Sequence, residues 1–204
     1  MGKSITIILF IIAFSCNGLA QTVGLKSNFL YALTTTPNIG METRIFKKSS
    51  IGFNAGFNPF RLPAPSGVTQ STNPKLFHWI IVPEYKYWFC RPYERWYAGV
   101  YADYGKYNLG GGKFLGIKDL ERYRYEGSLV GGGVSVGYQW AFARRWGVEA
   151  SLGVGYMLLD YRKYYAGACG ALVKQAKRHY IGPSKASVSI IYYIYSSFAS
   201  TQIM

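Results

Sequence analysis

The chain has 204 residues, of which 50% are hydrophobic, 18% aromatic and only 16% charged, and its formal net charge is +14. Because soluble domains carry about 25% charged residues and disordered chains are poor in aromatic residues, this composition excludes disorder and indicates a surface short of charge. The 24 glycines and 19 tyrosines disfavour a helical bundle and leave an all-β protein with an apolar, aromatic exterior.

Residues 1–20 have the pattern of a secretory signal peptide. Lys3 supplies a positive charge, residues 5–14 form a short apolar core, and small residues precede Gln21. The apolar core is too short to span a membrane as a helix. We therefore expect a signal peptide over 1–20 and one exported domain over 21–204, which disfavours nucleic acid as the partner of the basic charge.

Large apolar residues alternate with small or polar ones along most of the exported chain, which is typical of strands with two unlike faces. From Val130 to Phe142 the even positions are mostly large and apolar, whereas the odd ones are glycine, serine, glutamine or alanine. No exported segment offers eighteen consecutive apolar residues, which excludes a transmembrane helix. The alternation predicts eight strands, at about 23–33, 38–46, 50–60, 76–90, 96–107, 128–142, 146–159 and 184–195.

The connectors between these predicted strands differ in length according to the end at which they lie. One end has only short connectors, at 47–49, 91–95 and 143–145. The other end has three long ones, at 61–75, 108–127 and 160–183. Short periplasmic turns and long surface loops are typical of outer-membrane barrels. The sequence therefore predicts an all-β fold: an eight-stranded antiparallel transmembrane β-barrel with short periplasmic turns and long outward loops.

The bulky apolar residues occupy the face that such a barrel turns to lipid. The opposite face carries glycine, serine, asparagine, glutamine and scattered charges, which suits a polar lumen. A lipocalin-like barrel or a soluble sandwich would bury the bulky face instead. Aromatic residues at the predicted periplasmic strand ends fit the aromatic belt of a membrane interface: Phe89, Trp96, Trp140, Phe142 and Trp146.

Charged residues of both signs occupy inward positions of the middle and lower barrel. There are three of each sign: Lys26, Arg44, Lys86, Glu42, Glu84 and Glu149. A buried charge without a partner is costly, and eight strands enclose an interior only about wide enough for side chains. We therefore expect these charges to pair across the lumen and plug it.

A second group of charges crowds the last predicted outward loop, which has no acidic residue after Asp160. Its members are Arg162, Lys163, Lys174, Lys177 and Arg178. Basic clusters bind anionic headgroups, so we expect this loop to face outer-membrane lipid, including lipopolysaccharide phosphates, or an acidic partner. The alternative is a solvated loop that binds nothing.

The sequence points to no catalytic, metal or cofactor site. No cluster of histidine, cysteine or carboxylate residues has the spacing of metal ligands. A hydrolytic site needs a nucleophile, a base and an acid within hydrogen-bond reach. Glu149 and Ser151 are expected low in the lumen, whereas His78 is expected near its outer rim and His179 in the last loop. We therefore predict a non-enzymatic protein; a barrel enzyme that modifies lipid A or phospholipid is the alternative.

Seven sequence blocks occur in the order found in one family: KSNFLY at 26–31, TPNIGME at 36–42, HWIIVPE at 78–84, YWFC at 87–90, YNLGG at 107–111, GYQW at 137–140 and GPSKA at 182–186. On these blocks the chain resembles domain-of-unknown-function family 3575, small outer-membrane β-barrel proteins of Bacteroides-group bacteria. The resemblance implies the barrel and the outer-membrane location, and no catalytic residues, because the family has no established activity. It also suggests a structural, anchoring or accessory role, with a surface or fimbrial protein as partner.

Cys90 and Cys169 are predicted to carry free thiols. Cys90 ends a strand at a periplasmic turn, whereas Cys169 lies in the last outward loop. A membrane barrel separates these ends by about 25 Å or more, and a disulfide requires Cα atoms within about 7 Å. Maleimide labelling of the denatured, unreduced protein should therefore modify both cysteines. A pair protected until reduction would contradict the topology.

Overall fold

The chain forms eight antiparallel strands that follow one another around a ring. The computed structural model describes residues 22–60, 75–110, 119–166 and 170–195. The strands are β1 (Thr22–Asn28), β2 (Asn38–Phe46), β3 (Ser49–Asn58), β4 (Lys75–Trp88), β5 (Arg95–Gly110), β6 (Tyr123–Ala143), β7 (Trp146–Tyr165) and β8 (Leu172–Tyr195). Each strand pairs with its sequence neighbours, and β1 also pairs with β8, so the sheet closes into a barrel. The predicted number, order and direction of the strands are confirmed.

The connectors give the barrel two unlike ends. At the short-turn end, residues 47–48, 89–94 and 144–145 join β2 to β3, β4 to β5 and β6 to β7. The long-loop end carries the connectors that follow β1, β3, β5 and β7, and a short helix, α1 (Asp119–Arg122), precedes β6 there. The predicted signal peptide lies outside the described residues. Within them, no helix has the length and apolar character needed to cross a membrane.

The prediction of a long last loop over 160–183 is wrong, because most of these residues belong to strands. β7 continues to Tyr165 and β8 begins at Leu172, which leaves only 166–171 as the connector. In these segments the side chains still alternate between the two faces of the sheet, but neither face is apolar. Lys163 Nζ, for example, lies 3.6 Å from the centroid of the Tyr123 ring on β6, and such cation–π contacts help to hold a polar ladder together. β6, β7 and β8 therefore extend beyond the other strands at the long-loop end.

β1 is shorter than the predicted segment, because the chain leaves the sheet after Asn28. The Asn28 side chain accepts a hydrogen bond from the Leu30 backbone N–H at 3.0 Å and caps a 3-10 helix over Phe29–Thr34. The helix ends at Thr34, and its C-cap, Thr35, has a left-handed backbone (φ 50°). A local side-chain cap here competes successfully with strand pairing.

The barrel is polar inside and apolar outside. Along β6, Ser135 and Gln139 are buried, whereas Val134, Val136 and Tyr138 between and beside them are exposed. The same alternation runs around the ring and produces a continuous outer surface that we call the apolar belt. Its members include Met41, Ile51, Phe53, Tyr85, Val100, Tyr104, Val130, Val134, Val136, Leu152, Val154, Tyr156, Val188 and Ile194.

Candidate functional site

Lys86 of β4 lies at the centre of the charged residues in the lumen. Its Nζ is 2.8 Å from Oε2 of Glu42 on β2 and 2.5 Å from Oε2 of Glu149 on β7. Lys26 of β1 bridges the same two carboxylates, at 2.8 Å from Glu42 and 3.6 Å from Glu149. All four side chains are at most 3% exposed. Two lysines and two glutamates thus form a closed ring of alternating charge.

Glu84 and Lys185 extend this ring toward β8. Lys185 forms an ion pair with Oε1 of Glu84, and the Ser135 hydroxyl of β6 donates a hydrogen bond to the same oxygen at 2.7 Å. Lys86 Nζ lies 4.0 Å from the other Glu84 oxygen. The resulting lumen network balances three lysines against three glutamates: Lys26, Lys86, Lys185, Glu42, Glu84 and Glu149.

The structure brings together five of the six charged residues predicted for the lumen and places the sixth elsewhere. Arg44 is exposed at the short-turn end, because β2 ends two residues later, at Phe46. Lys185 provides the third positive charge, and sequence reasoning missed it. It shares the odd positions of Ser187 and Ser189, but β8 was expected to begin only at 184, which would put Lys185 at the rim rather than inside.

An aromatic plug closes the lumen between the network and the short-turn end. It consists of Trp88, Tyr93, Tyr97, Ile191 and Tyr193, each at most 9% exposed. The Trp88 and Tyr97 ring centroids are 4.8 Å apart, and those of Tyr93 and Tyr193 are 5.6 Å apart. The Tyr97 ring fills the space where a Cβ on Gly137 would lie, so only glycine leaves room for it. The barrel is therefore sealed by packed rings.

The plug and the network are joined by hydrogen bonds. The Trp88 indole Nε1 donates to the Ser50 hydroxyl at 2.8 Å, and that hydroxyl donates to Oε1 of Glu42 at 2.6 Å. Lys86 Nζ also lies 4.2 Å from the centroid of the Tyr97 ring. Both oxygens of Glu42 are satisfied in this way, which is what a buried carboxylate requires.

Tyr93 reaches the plug from the 89–94 connector rather than from a strand. Its backbone is left-handed (φ 70°), which turns the side chain back into the barrel mouth. Burial raises the pKa of its phenol, so the group stays neutral. A non-glycine residue in this conformation is uncommon, and here the packing against Trp88 and Tyr193 holds it.

A polar chamber of about 290 Å³ lies on the other side of the network, toward the long-loop end. Tyr31 of the 3-10 helix, Asp103 of β5 and Ser184 line it together with Lys26 and Lys185. Asp103 is 5% exposed, and its Oδ2 has no hydrogen-bond partner among the described residues. The chamber ends at the network and the plug, so it is a pocket and not a channel.

The five cations predicted to crowd one outward loop do not form a single cluster. Arg162 and Lys163 belong to β7, and Lys174, Lys177 and Arg178 belong to β8. Directly paired residues share a face of the sheet. Lys163, Lys174 and Arg178 therefore follow the inward face, whereas Arg162 and Lys177 follow the outward face.

On that outward face the cations are accompanied by acidic residues. Lys177 lies directly opposite Asp160, and Arg162 lies opposite Glu126. The two strands carry charges of both signs where the sequence indicated a purely basic loop. The predicted basic outward loop is therefore corrected to strand segments whose outward face carries charges of both signs.

The two histidines also lie apart. His78 Nε2 is 3.0 Å from the Thr36 hydroxyl at the long-loop end of the lumen, and Thr36 is only 4% exposed. His179 is exposed on β8, where its Nδ1 lies 2.5 Å from the Tyr156 hydroxyl. The predicted positions of Glu149 and Ser151 low in the lumen and His78 near its rim are those seen in the structure.

Metal-ligating side chains and cysteines form no further site in the described part of the chain. No group of three or more histidine, cysteine, aspartate or glutamate side chains there could hold a metal ion. Cys90 is free and exposed at the short-turn end. Cys169 lies outside the described residues, so the predicted absence of a bridge stays a prediction.

A family described as "Protein of unknown function (DUF3575)" matches residues 5–194. The chain belongs to this family. No curated protein and no solved structure matches it. The family membership indicated by the seven sequence blocks is thereby confirmed.

Removing the central cation should destabilise the barrel strongly. Lys86→Met would leave Glu42 and Glu149 close together in a buried interior with only Lys26 between them. Removing one partner of a buried ion pair typically costs about 3–5 kcal/mol. We expect a loss of this size in the free energy of unfolding, measured from the urea midpoint of the refolded protein.

Two further variants test whether the lumen network accounts for this loss of stability. Arg44→Met removes an exposed cation from β2, and we expect it to change stability by less than about 1 kcal/mol. In Lys86→Met/Glu149→Leu the surplus carboxylate is also gone, so part of the loss should be recovered. If Lys86→Met were no more harmful than Arg44→Met, the lumen network would not bear on stability.

Proposed function

We propose that this DUF3575 chain is a non-enzymatic outer-membrane barrel with a plugged polar lumen that serves as a structural, anchoring or accessory surface protein. The observation that carries the proposal is the apolar belt around a charged, sealed interior. Water would disfavour so much exposed apolar surface, whereas hydrocarbon favours it. The closed sheet also supports a location in lipid, because it leaves no strand edge with unpaired backbone groups there.

The height of the belt fits a bilayer. On β6 its outward residues run from Val130 to Trp140, and polar Ser128 and Glu126 follow beyond Val130. Ten residue steps give about 34 Å of strand at about 3.4 Å per residue. At a tilt of about 40° this corresponds to about 26 Å, close to the apolar band of about 25 Å on outer-membrane barrels.

Aromatic residues at the short-turn end support the same placement. Exposed rings lie at the strand ends that flank all three short connectors: Phe46, Phe89, Trp96, Trp140, Phe142 and Trp146. Tryptophan and other aromatic side chains concentrate where lipid meets water. By analogy with outer-membrane barrels, we assign the short-turn end to the periplasm and the long-loop end to the cell surface.

The sealed lumen favours an anchoring or accessory role over transport. Beyond the belt, β4 to β8 form an outward groove of about 370 Å³ whose charged residues include Lys106, Glu126, Asp160 and Arg162. This groove lies where lipopolysaccharide headgroups or a surface protein, such as a fimbrial subunit, would meet the barrel. Its mixed charge suits a phosphate-rich, cation-bridged layer as well as a protein.

A lipid A or phospholipid-modifying enzyme is the alternative, and the Thr36–His78 contact is the feature that could support it. Thr36 is buried, however, and its hydroxyl also lies within hydrogen-bond distance of the Thr34 hydroxyl and the Asn58 amide. A nucleophile must reach its substrate, so we interpret this contact as structural.

A charge in the middle of the belt should destabilise the protein in lipid. Leu152 on β7 is 68% exposed and central in the belt, and arginine at the bilayer midplane of a barrel costs about 2–4 kcal/mol. We expect Leu152→Arg to lower stability by that amount in phosphatidylcholine vesicles. Ser128→Arg, outward but beyond the belt, is the control and should have almost no effect. Equal effects of the two variants would argue against a membrane-embedded belt.

The plug should prevent ion flow. Wild-type protein reconstituted into a planar bilayer should show no steady single-channel current, because packed rings and the paired network occupy the narrow part of the lumen. A heat-dependent gel shift of the same preparation would verify that the barrel is folded. A stable current from folded wild-type protein would refute the plugged lumen and favour a transport role.

A further inference from the structure

The short-turn end of the barrel is strongly basic, a feature that the proposed function does not use. The three short connectors and the residues beside them carry seven cations and one carboxylate, that of Glu94. We call these cations the basic rim: Arg44, Lys47, Lys48, Arg91, Arg95, Arg144 and Arg145. All seven are exposed. Near the long-loop end, by contrast, outward cations such as Lys177 lie opposite acidic residues.

The cations are placed next to exposed aromatic residues of the belt. Lys47 follows Phe46, which is 69% exposed. Arg95 precedes Trp96, and Arg145 precedes Trp146, which are 54% and 41% exposed. An aromatic ring at the lipid–water boundary puts the adjacent connector at the depth of the headgroups. The basic rim therefore lies where the phosphates of a surrounding leaflet would be.

The rim also contains a concave site. A cavity of about 510 Å³ opens at the barrel mouth between Arg44, Lys47, Arg91 and Tyr93. The aromatic plug closes its inner side, because Tyr93 and Tyr193 belong to both. A group entering this cavity meets three cations and one carboxylate, that of Glu94, and cannot pass through the barrel. Its dimensions and charge suit a phosphodiester headgroup.

We propose that the basic rim binds the headgroups of anionic phospholipids in the leaflet at the short-turn end. The three short connectors join alternate pairs of strands, so their cations are distributed around the ring at one height. A planar array of phosphates matches this distribution, whereas a single polymer strand would need a linear groove. Each lysine or arginine near an anionic surface adds to the attraction. The inference rests on the proposed membrane-spanning barrel.

Tryptophan quenching by brominated lipids can test this directly. Trp96, Trp140 and Trp146 lie outward at the short-turn end, Trp88 is buried in the plug, and Trp79 lies outward toward the long-loop end. In a Trp79→Phe background, quenching therefore reports on lipid beside the basic rim. Vesicles of phosphatidylcholine and phosphatidylglycerol are prepared with one or the other lipid brominated, and the two quenching curves give the relative affinity.

We expect phosphatidylglycerol to be preferred by about threefold or more at low salt, and the preference to decline as salt screens the charges. The variant Lys47→Gln/Lys48→Gln/Arg144→Gln/Arg145→Gln removes four of the seven rim cations and should bring the ratio most of the way toward one. A matched variant near the long-loop end, Arg162→Gln/Lys174→Gln/Lys177→Gln/Arg178→Gln, removes as many cations and should keep the preference. A heat-dependent gel shift in phosphatidylcholine vesicles verifies that each variant is folded.

The outcomes separate this inference from the proposed function. If neither brominated lipid quenches the tryptophans, the barrel is not embedded and the proposed function fails. If both lipids quench equally in the wild type, the barrel is embedded but the basic rim does not select anionic lipid. Loss of the preference in the long-loop variant alone, or wild-type sedimentation with purified cell-wall sacculi without any lipid preference, would also overturn the inference.

Discussion

The pairing of charges inside a closed barrel is the constraint on which the rest of this structure depends. A residue from every strand takes part in or directly contacts the lumen network: Lys26, Glu42, Ser50, Lys86, Tyr97, Ser135, Glu149 and Lys185. Buried ion pairs add little stability compared with a well-packed apolar core. Their larger effect is on register, because a slip of one residue would turn charges toward the belt and apolar residues into the lumen.

Much of this arrangement could be predicted from the sequence, because a strand has a period of two. Glu84, Lys86 and Glu149 alternate with bulky apolar residues along their strands. This alternation alone indicates that the charged residues face inward and that the bulky residues form the belt. The position of a residue along the barrel axis is harder to predict than whether its side chain points inward or outward. Arg44 occupies an alternate position in step with Glu42 but lies at the mouth of the barrel. Lys185 lies in the network, although the predicted strand begins only one residue before it. Both errors come from the strand ends, which depend on neighbouring strands.

The polar extension of β7 and β8 was missed for a different reason. Its alternation is between charged, aromatic and small residues, so hydrophobicity gives no sign of a strand there. The extension depends on cross-strand contacts such as Lys163 with Tyr123 and Tyr125, which connect residues far apart in the chain. Likewise, the glycine at 137 can be identified as an inward residue from sequence, but its partner Tyr97 cannot.

The position of the network members along the chain has a consequence for how the barrel is made. Lys26 belongs to the first strand and Lys185 to the last, and Glu42, Lys86 and Glu149 lie between them. The charges are therefore fully neutralised only when β1 meets β8. In the membrane proposed for this barrel, an intermediate with an open seam would expose unpaired lysines and carboxylates, together with unpaired backbone groups, to hydrocarbon. For the proposed membrane-spanning barrel we therefore expect closure and entry into the bilayer to be concerted. An assembly that inserted one hairpin at a time would encounter its highest barrier before the final strand was in place.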